Sequence, residues 1–173
     1  MTALPEPLRQ RAAGIELVSF DVDGVLTDGR LLYTERGDEI KAFHVQDGSS
    51  IKLLLEYGIQ VALITGRRSD MVARRAAELG IEHVFQGVAD KALALEQLCV
   101  RLGLAPTAMA HVGDDLPDLP LFHRVGLAVA VPNGHPAIFG HVHYTTTLPG
   151  GAGVAREVCE LLLRARARWP FDP

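Results

Sequence analysis

Residues 17–28 read Leu-Val-Ser-Phe-Asp-Val-Asp-Gly-Val-Leu-Thr-Asp, an apolar run that ends in two aspartates one residue apart. Ile15 to Phe20 is short, apolar and partly β-branched, the composition of a buried strand, and Gly24 supplies the break that opens its end. Side chains at i and i+2 of an extended segment point to the same side, so Asp21 and Asp23 are expected to project into one pocket. Two unit charges about 4 Å apart repel by roughly 4 kcal/mol at an effective dielectric of about 20. A bound cation, or a raised pKa on one carboxyl, is therefore implied.

Outward from this stretch the chain alternates strands and helices. Arg30 to Thr34 and Glu39 to His44 flank Glu35-Arg36-Gly37-Asp38, which has the length and the glycine of a hairpin loop. Leu31, Leu32, Tyr33, Ile40 and Phe43 give that hairpin an apolar surface, and burial against a partner in an oligomer is its expected use. A helix opens at residues 47–50 with Asp47 or Ser49 as N-cap, turns Ile51, Leu54 and Leu55 inward, and ends at Gly58. Strands follow at Gln60–Ile64, His83–Phe85, Ala108–Val112, Gly126–Val131 and His143–Thr146. Between and after them lie helices at 69–79, from Asp90-Lys91 to Leu102-Gly103, at 136–140 and at 153–168. This order predicts an α/β doubly wound parallel sheet, as one domain over residues 1–173. Ligands of such sheets bind beyond the carboxyl ends of the strands, where strand order reverses. Asp21 and Asp23, Thr65-Gly66-Arg67, and Asp114, Asp115 and Asp118 all fall at such ends, so one site can collect them.

With 173 residues, 48% hydrophobic and 22% charged, the chain has the size and composition of a globular domain. A net charge of -4 argues against non-specific nucleic-acid binding, despite local arginines at Arg67, Arg68, Arg74 and Arg75 and at Arg164, Arg166 and Arg168. Met1 to Gly14 lacks the pattern of a signal peptide, and no run of 18 apolar residues exists, so no membrane association is expected. Cys99 and Cys159 are far apart in apolar helical patterns, which reads as two buried free thiols in a reducing compartment, the cytoplasm.

Three carboxylates at strand ends, with no cysteine or histidine at matching positions, describe an oxygen-ligand site for a hard cation, and Mg2+ suits it best. A carboxylate can also attack phosphorus to form an aspartyl-phosphate that water then opens. Asp23 is placed to protonate the leaving oxygen and then to activate that water. Lys91, the Thr65 hydroxyl and the Gly66 amide at a helix start supply phosphate-holding donors. The histidines His135, His141 and His143 come without a cysteine and at spacings that do not read as a zinc site. His111, inside a strand, reads as a core histidine. The apolar tail Trp169-Pro170-Phe171-Asp172-Pro173 is open to two readings, disorder or docking on a neighbouring subunit.

Asp21-Val22-Asp23-Gly24-Val25, Thr65, Lys91 and Gly113-Asp114-Asp115-Leu116-Pro117-Asp118 resemble the four ordered motifs of the haloacid dehalogenase superfamily of phosphatases, nearly end to end. Phe20 to Gly29, Val45-x-Asp47-Gly48, Ile64-Thr65-Gly66-Arg67 and Pro149-Gly150-Gly151-x-Gly153 are similar to its small members without a cap domain. These act on phosphates of 3-deoxy-2-keto sugar acids in lipopolysaccharide sugar synthesis. The resemblance implies a Rossmann-like sheet with a β-hairpin insertion and no cap. It implies Asp21 as nucleophile and metal ligand, Asp23 as acid/base and backbone-carbonyl metal ligand, and Asp114 as metal ligand. Thr65, Gly66 and Lys91 would hold the phosphoryl group, and His44, Val45, Gln46, Asp47, Gly48, Lys52, Arg67 and Arg75 the sugar acid, together with Asp23 and Lys91. It further implies a homotetramer whose hairpins pack together and whose sites are completed by neighbouring subunits. His44 stands where the pattern expects a smaller amide, and Lys52 where arginine is frequent. The alternatives are a related nine-carbon substrate, or a non-catalytic oligomerisation module of the same fold.

Overall fold

The structure is a computed structural model that describes residues 4–171. The apolar run before Asp21 becomes β1 (Leu17–Phe20), fully buried. After it come the short hairpin strands β2 (Leu32–Tyr33) and β3 (Glu39–Ile40), then β4 (Gln60–Thr65), β5 (His83–Gln86), β6 (Met109–Gly113), β7 (Leu127–Ala130) and β8 (Tyr144–Thr145). Six of these form one parallel sheet in the order β5-β4-β1-β6-β7-β8. The chain builds outward from β1 through β4 to β5 and then returns to β1's other edge with β6. The reversal of strand order therefore lies between β1 and β6, directly at the ends that carry Asp21 and Asp114.

Strands covered on both faces need apolar side chains on both, and alternate residues divide between two cores. Val18, Phe20, Val61, Leu63, Ala110, Val112, Leu127 and Val129 enter the larger core with residues of α2 (Val45–Glu56), α3 (Asp70–Leu79) and α6 (Val154–Ala165). Leu17, Ala62, Ile64, Met109, Ala128 and Ala130 enter the other, beneath α4 (Lys91–Leu102) and the four-residue α5 (Leu119–Phe122). The helix α1 (Glu6–Ala13), which the sequence reading leaves unassigned, buries Ala12 and is tied to the end of α6 by Arg166 Nε donating to the Ala13 carbonyl at 3.1 Å. No helix among the described residues is long and apolar enough to cross a membrane.

Two local expectations change. The helix expected to open with Asp47 or Ser49 as cap begins at Val45, with His44 as N-cap, so Asp47 lies in its first turn. Its Oδ1 accepts instead from the Arg156 amide at 3.0 Å, because α6 starts behind Gly153, a residue with no side-chain acceptor of its own. Phe43 also leaves the hairpin surface: it packs on the larger core with the Arg75 guanidinium 5.9 Å from its ring centroid. The hairpin pairs only Leu32 with Ile40 and Tyr33 with Glu39, and exposes Leu31, Leu32, Tyr33 and Ile40 by 46, 47, 57 and 48%.

Candidate active site

The chain does not remain extended after Phe20. Residues Val22–Leu26 form one wide turn, closed by the Thr27 amide on the Val22 carbonyl at 3.0 Å, with Gly24 at φ 96°. Across this turn Asp21 and Asp23 take different protein partners. Asp21 turns inward, its Oδ1 accepting from the Val22 amide at 2.7 Å and its Oδ2 lying 3.0 Å from Lys91 Nζ. Asp23 turns to the hairpin, where Lys41 Nζ pairs with Oδ1 and Arg67 Nε lies 3.6 Å from Oδ2.

The carboxylates that face Asp21 come from the end of β6. Oxygens of Asp21, Asp114 and Asp118 lie within 4.8 Å of one another. Asp118, fully buried, is saturated by donors: Lys91 Nζ at 2.6 Å and His111 Nε2 at 3.0 Å on Oδ1, and the Asp114 and Asp115 amides at 3.0 and 3.2 Å on Oδ2. It anchors the turn rather than offering a free oxygen. Asp114 lies over Gly24 so closely that a Cβ there would stand 2.0 Å from Asp114 Oδ2. Gly24→Ala therefore carries a steric clash as well as an unfavourable positive φ. It is expected to cost about 2 kcal/mol or more in denaturant unfolding and to remove most activity; an alanine variant of wild-type stability would show that the turn relaxes freely. Asn133, which the sequence reading did not single out, closes the back of this turn. Its Nδ2 donates to the Gly24 carbonyl at 3.2 Å and its Oδ1 accepts from the Gly150 amide at 2.7 Å. Gly150 has no room for a side chain either, since a Cβ would stand 1.8 Å from that same carbonyl oxygen.

Burial, followed by the charges of Asp21 and Asp118, pushes Asp114 up to about 7. Burial likewise raises Asp21, although Lys91 opposes the shift. Burial would raise Asp118 too, but the His111 hydrogen bond and the Lys91 charge hold its carboxyl far below the usual range. For Lys91, burial favours the neutral amine, yet Asp21 and Asp118 keep it charged and raise its pKa. The two carboxylates with a raised pKa, Asp21 and Asp114, are short of positive charge, and a hard divalent cation among these oxygens fits that deficit.

Asp114 makes the stability of the metal-free protein depend on pH. Between about pH 4 and 7 its folded carboxyl keeps a proton that the unfolded chain has released, so the metal-free protein loses this contribution to stability as pH rises through that interval. Asp118 is ionised in both states there and contributes no slope. Magnesium should accordingly raise the melting temperature more at pH 8 than at pH 5. Equal magnesium shifts at the two pH values, measured against chelator, would count against these carboxylates as ligands.

The family described as haloacid dehalogenase-like hydrolase matches residues 81–158. A curated 3-deoxy-D-manno-octulosonate 8-phosphate phosphatase of Yersinia pestis is 46% identical over 157 residues, which cover 91% of this chain and 84% of the relative. The chain belongs to the 3-deoxy-D-manno-octulosonate 8-phosphate phosphatase family. A crystal structure of the phosphatase from Yersinia pestis superposes with a TM-score of 0.94 at 44% identity, covering 95% of this chain and 89% of that one. The Moraxella catarrhalis phosphatase, solved in complex with magnesium ion, phosphate ion and a KDO molecule, gives a TM-score of 0.91 at 48% identity, covering 92% of each chain.

Within this phosphatase family fold, the residues singled out from sequence separate into two groups. Asp21, Asp114 and Lys91 meet at the switch point, with buried Thr65 at the end of the adjacent β4. Gly66 follows Thr65 but does not start a helix, since α3 begins only at Asp70 behind Ser69; its amide belongs to the intervening loop. The second group lies around α2: His44, Asp47, Gly48 and Arg75 line one small concavity with Leu26, Phe43 and Leu79. Arg75 packs on Gly48, where a Cβ would stand 2.2 Å from its Nη2, and pairs with Glu78 at 3.4 Å. Val45 and Gln46 are exposed at the start of α2 and Lys52 is exposed further along it. Among the described residues no hydrogen bond or ion pair joins this group to Asp21, Lys91 or Asp114. His44 Nδ1 and Asp47 Oδ2 are buried with no protein partner, and burial raises Asp47.

Arg67 bridges the hairpin and the first group. It reaches Asp23 as above and Glu39 at 2.9 Å, while the Ser69 hydroxyl also donates to Glu39. Lys41 completes this network, with a side chain only 2% exposed. Nothing in the sequence pattern marked Lys41 or Glu39, because charged residues in a hairpin ordinarily face water. Both cysteines are free, but only Cys159 is buried as expected, and burial pushes it up to about 12, which leaves it unreactive; Cys99 is half-buried.

Proposed function

We propose that this protein is a magnesium-dependent phosphatase that hydrolyses 3-deoxy-D-manno-octulosonate 8-phosphate to the free sugar acid and phosphate, a step of lipopolysaccharide precursor synthesis. The observation that carries the reading is the inward-turned Asp21 carboxylate, braced by Lys91 and the Val22 amide opposite Asp114. Its support from likeness is the shared family and the Moraxella catarrhalis structure with magnesium, phosphate and KDO.

Lys91, the Thr65 hydroxyl and the Gly66 amide hold the transferring phosphoryl group. An Asp21 oxygen attacks phosphorus while Asp23 gives a proton to the departing sugar oxygen, leaving an aspartyl-phosphate on Asp21. Asp23, now a carboxylate, takes a proton from the water that opens this intermediate. Magnesium, held by Asp21, Asp114 and the Asp23 backbone carbonyl, neutralises the phosphate charge that would otherwise repel Asp21. His44, Val45, Gln46, Asp47, Gly48, Lys52, Arg67 and Arg75 serve the sugar acid, the unpartnered His44 and Asp47 atoms being available to a ligand or a neighbouring subunit.

The whole chain, residues 1–173, acts as one domain without a cap, and Asp172 and Pro173 of its tail lie outside the described residues. Enclosure of the site comes from a homotetramer assembled through the exposed hairpin residues Leu31, Leu32, Tyr33 and Ile40. The two unpaired thiols and the proposed substrate class support a cytoplasmic location.

The deciding experiment is steady-state hydrolysis of eight-carbon and nine-carbon 2-keto-3-deoxy sugar-acid phosphates, with magnesium and with chelator. The eight-carbon ester should show a kcat/KM at least about tenfold higher, and chelator should abolish turnover of both. Preference for the nine-carbon ester would move the substrate assignment, and the absence of any metal-dependent phosphate release would leave a non-catalytic module.

A further inference from the structure

The face of the sheet beneath α4 and α5 is apolar at Leu17, Ala62, Ile64, Met109, Ala128 and Ala130, yet Ser19 and His111 stand in its middle with 0% exposure each. They are neighbours in register on β1 and β6. Ser19 Oγ lies 2.8 Å from His111 Nδ1 and 3.1 Å from the Ala110 carbonyl oxygen, and the Phe122 ring packs at 5.7 Å from the imidazole. The other ring nitrogen, Nε2, is 3.0 Å from Asp118 Oδ1, and a carboxylate so placed makes Nε2 the donor. That same oxygen receives Lys91 Nζ at 2.6 Å, and the ammonium continues to Asp21 at 3.0 Å.

A polar pair in an apolar layer is costly to desolvate, and its replacement by two apolar residues of similar shape would be nearly neutral for stability. Its geometry supplies what such a replacement would not: a rigid donor that fixes where Asp118 Oδ1 sits. Because that oxygen is shared, it also fixes where the Lys91 ammonium sits over Asp21.

We infer that His111, braced by Ser19, is a positioning residue for phosphoryl transfer, acting through Asp118 on Lys91. The inference rests on the phosphatase reading of the same site. His111 touches neither substrate nor metal, and its effect belongs to the placement of Lys91 in the reacting state. Loss of its Nε2 donor therefore lowers kcat and leaves KM nearly unchanged.

The test compares H111Q, H111N and H111L in the full-length protein on 3-deoxy-D-manno-octulosonate 8-phosphate and on p-nitrophenyl phosphate, with circular dichroism as the measure of folding. Glutamine places an N–H where Nε2 stands, whereas asparagine reaches only the Nδ1 position. H111Q is expected within about threefold of the wild-type kcat, and H111N and H111L about tenfold or more below it, with KM within about twofold. If H111L does not fold, the glutamine and asparagine pair decides. Equal kcat for H111Q and H111N, or a loss confined to KM, would overturn the positioning role. Wild-type activity on p-nitrophenyl phosphate alone would overturn only the sugar-acid assignment, and His111 would then be judged on that ester; activity on neither would overturn both readings.

Discussion

Asp21→Asn is expected to reduce phosphate release by about 10⁴-fold or more while leaving the fold intact. The asparagine oxygen can still accept from the Val22 amide, so the turn at Val22–Leu26 keeps its first anchor. What disappears is the proposed nucleophile, together with one of the carboxylates crowded at the switch point. Burial raises Asp21 in the native state, so its ionised form costs stability that the neutral amide does not. The metal-free variant should therefore be at least as stable as the wild type at pH 8, and should gain less from magnesium. Phosphate release and chemical denaturation measured on one preparation check both halves. Appreciable turnover would reject Asp21 as nucleophile, and a marked loss of stability would reject the electrostatic account of its surroundings.

Lys91→Met is the second large effect, and its signature is opposite in stability. The ammonium at the start of α4 lies within 3.0 Å of Asp21 and 2.6 Å of Asp118, with a side chain only 5% exposed. Removing one partner of a buried ion pair leaves the other charge uncompensated, which costs about 3 kcal/mol or more. Asp118 retains His111 and two amides, so the greater burden falls on Asp21 and Asp114. Both can escape it by taking up protons. The destabilisation should therefore be larger at pH 8 than at pH 5, and magnesium should recover part of it. In its proposed role Lys91 is the fixed cation of the phosphoryl oxygens, so turnover should fall by about a hundredfold or more. A methionine variant with normal stability at pH 8 would show that the carboxylates are neutralised by other means.

Much of the fold was legible in the sequence because the strands announce themselves locally. β1, β4, β6 and β7 are short apolar runs, and each of the first three ends in a residue that carries chemistry: Asp21 just beyond β1, Thr65 on β4 and Asp114 just beyond β6. The caps of α4 could likewise be read in place, with Asp90 accepting from the Ala92 amide at 2.8 Å and Gly103 closing the helix. Helix α1 was not legible: among its eight residues only Leu8, Ala12 and Ala13 are apolar, and it is held chiefly by packing against α6. The role of Asp47 was equally hidden, since its local pattern reads as a cap for its own helix while its carboxylate serves a helix that begins more than a hundred residues later.

The same division runs through the site. The sequence by itself determined which residue types reach the carboxyl ends of neighbouring strands, because strand periodicity and helix caps depend on residues only a few positions apart. It thereby selected Asp21, Thr65, Lys91 and Asp114. The tertiary structure alone decided that Asp23 pairs with Lys41 and Arg67, that Asp118 is held by four donors, and that Ser19 and His111 stand behind it. Those outcomes depend on the bend after Phe20 and on parallel register between β1 and β6, which sets residues 92 positions apart within hydrogen-bonding distance. No local pattern encodes such a distance; it exists only once both faces of the sheet are packed.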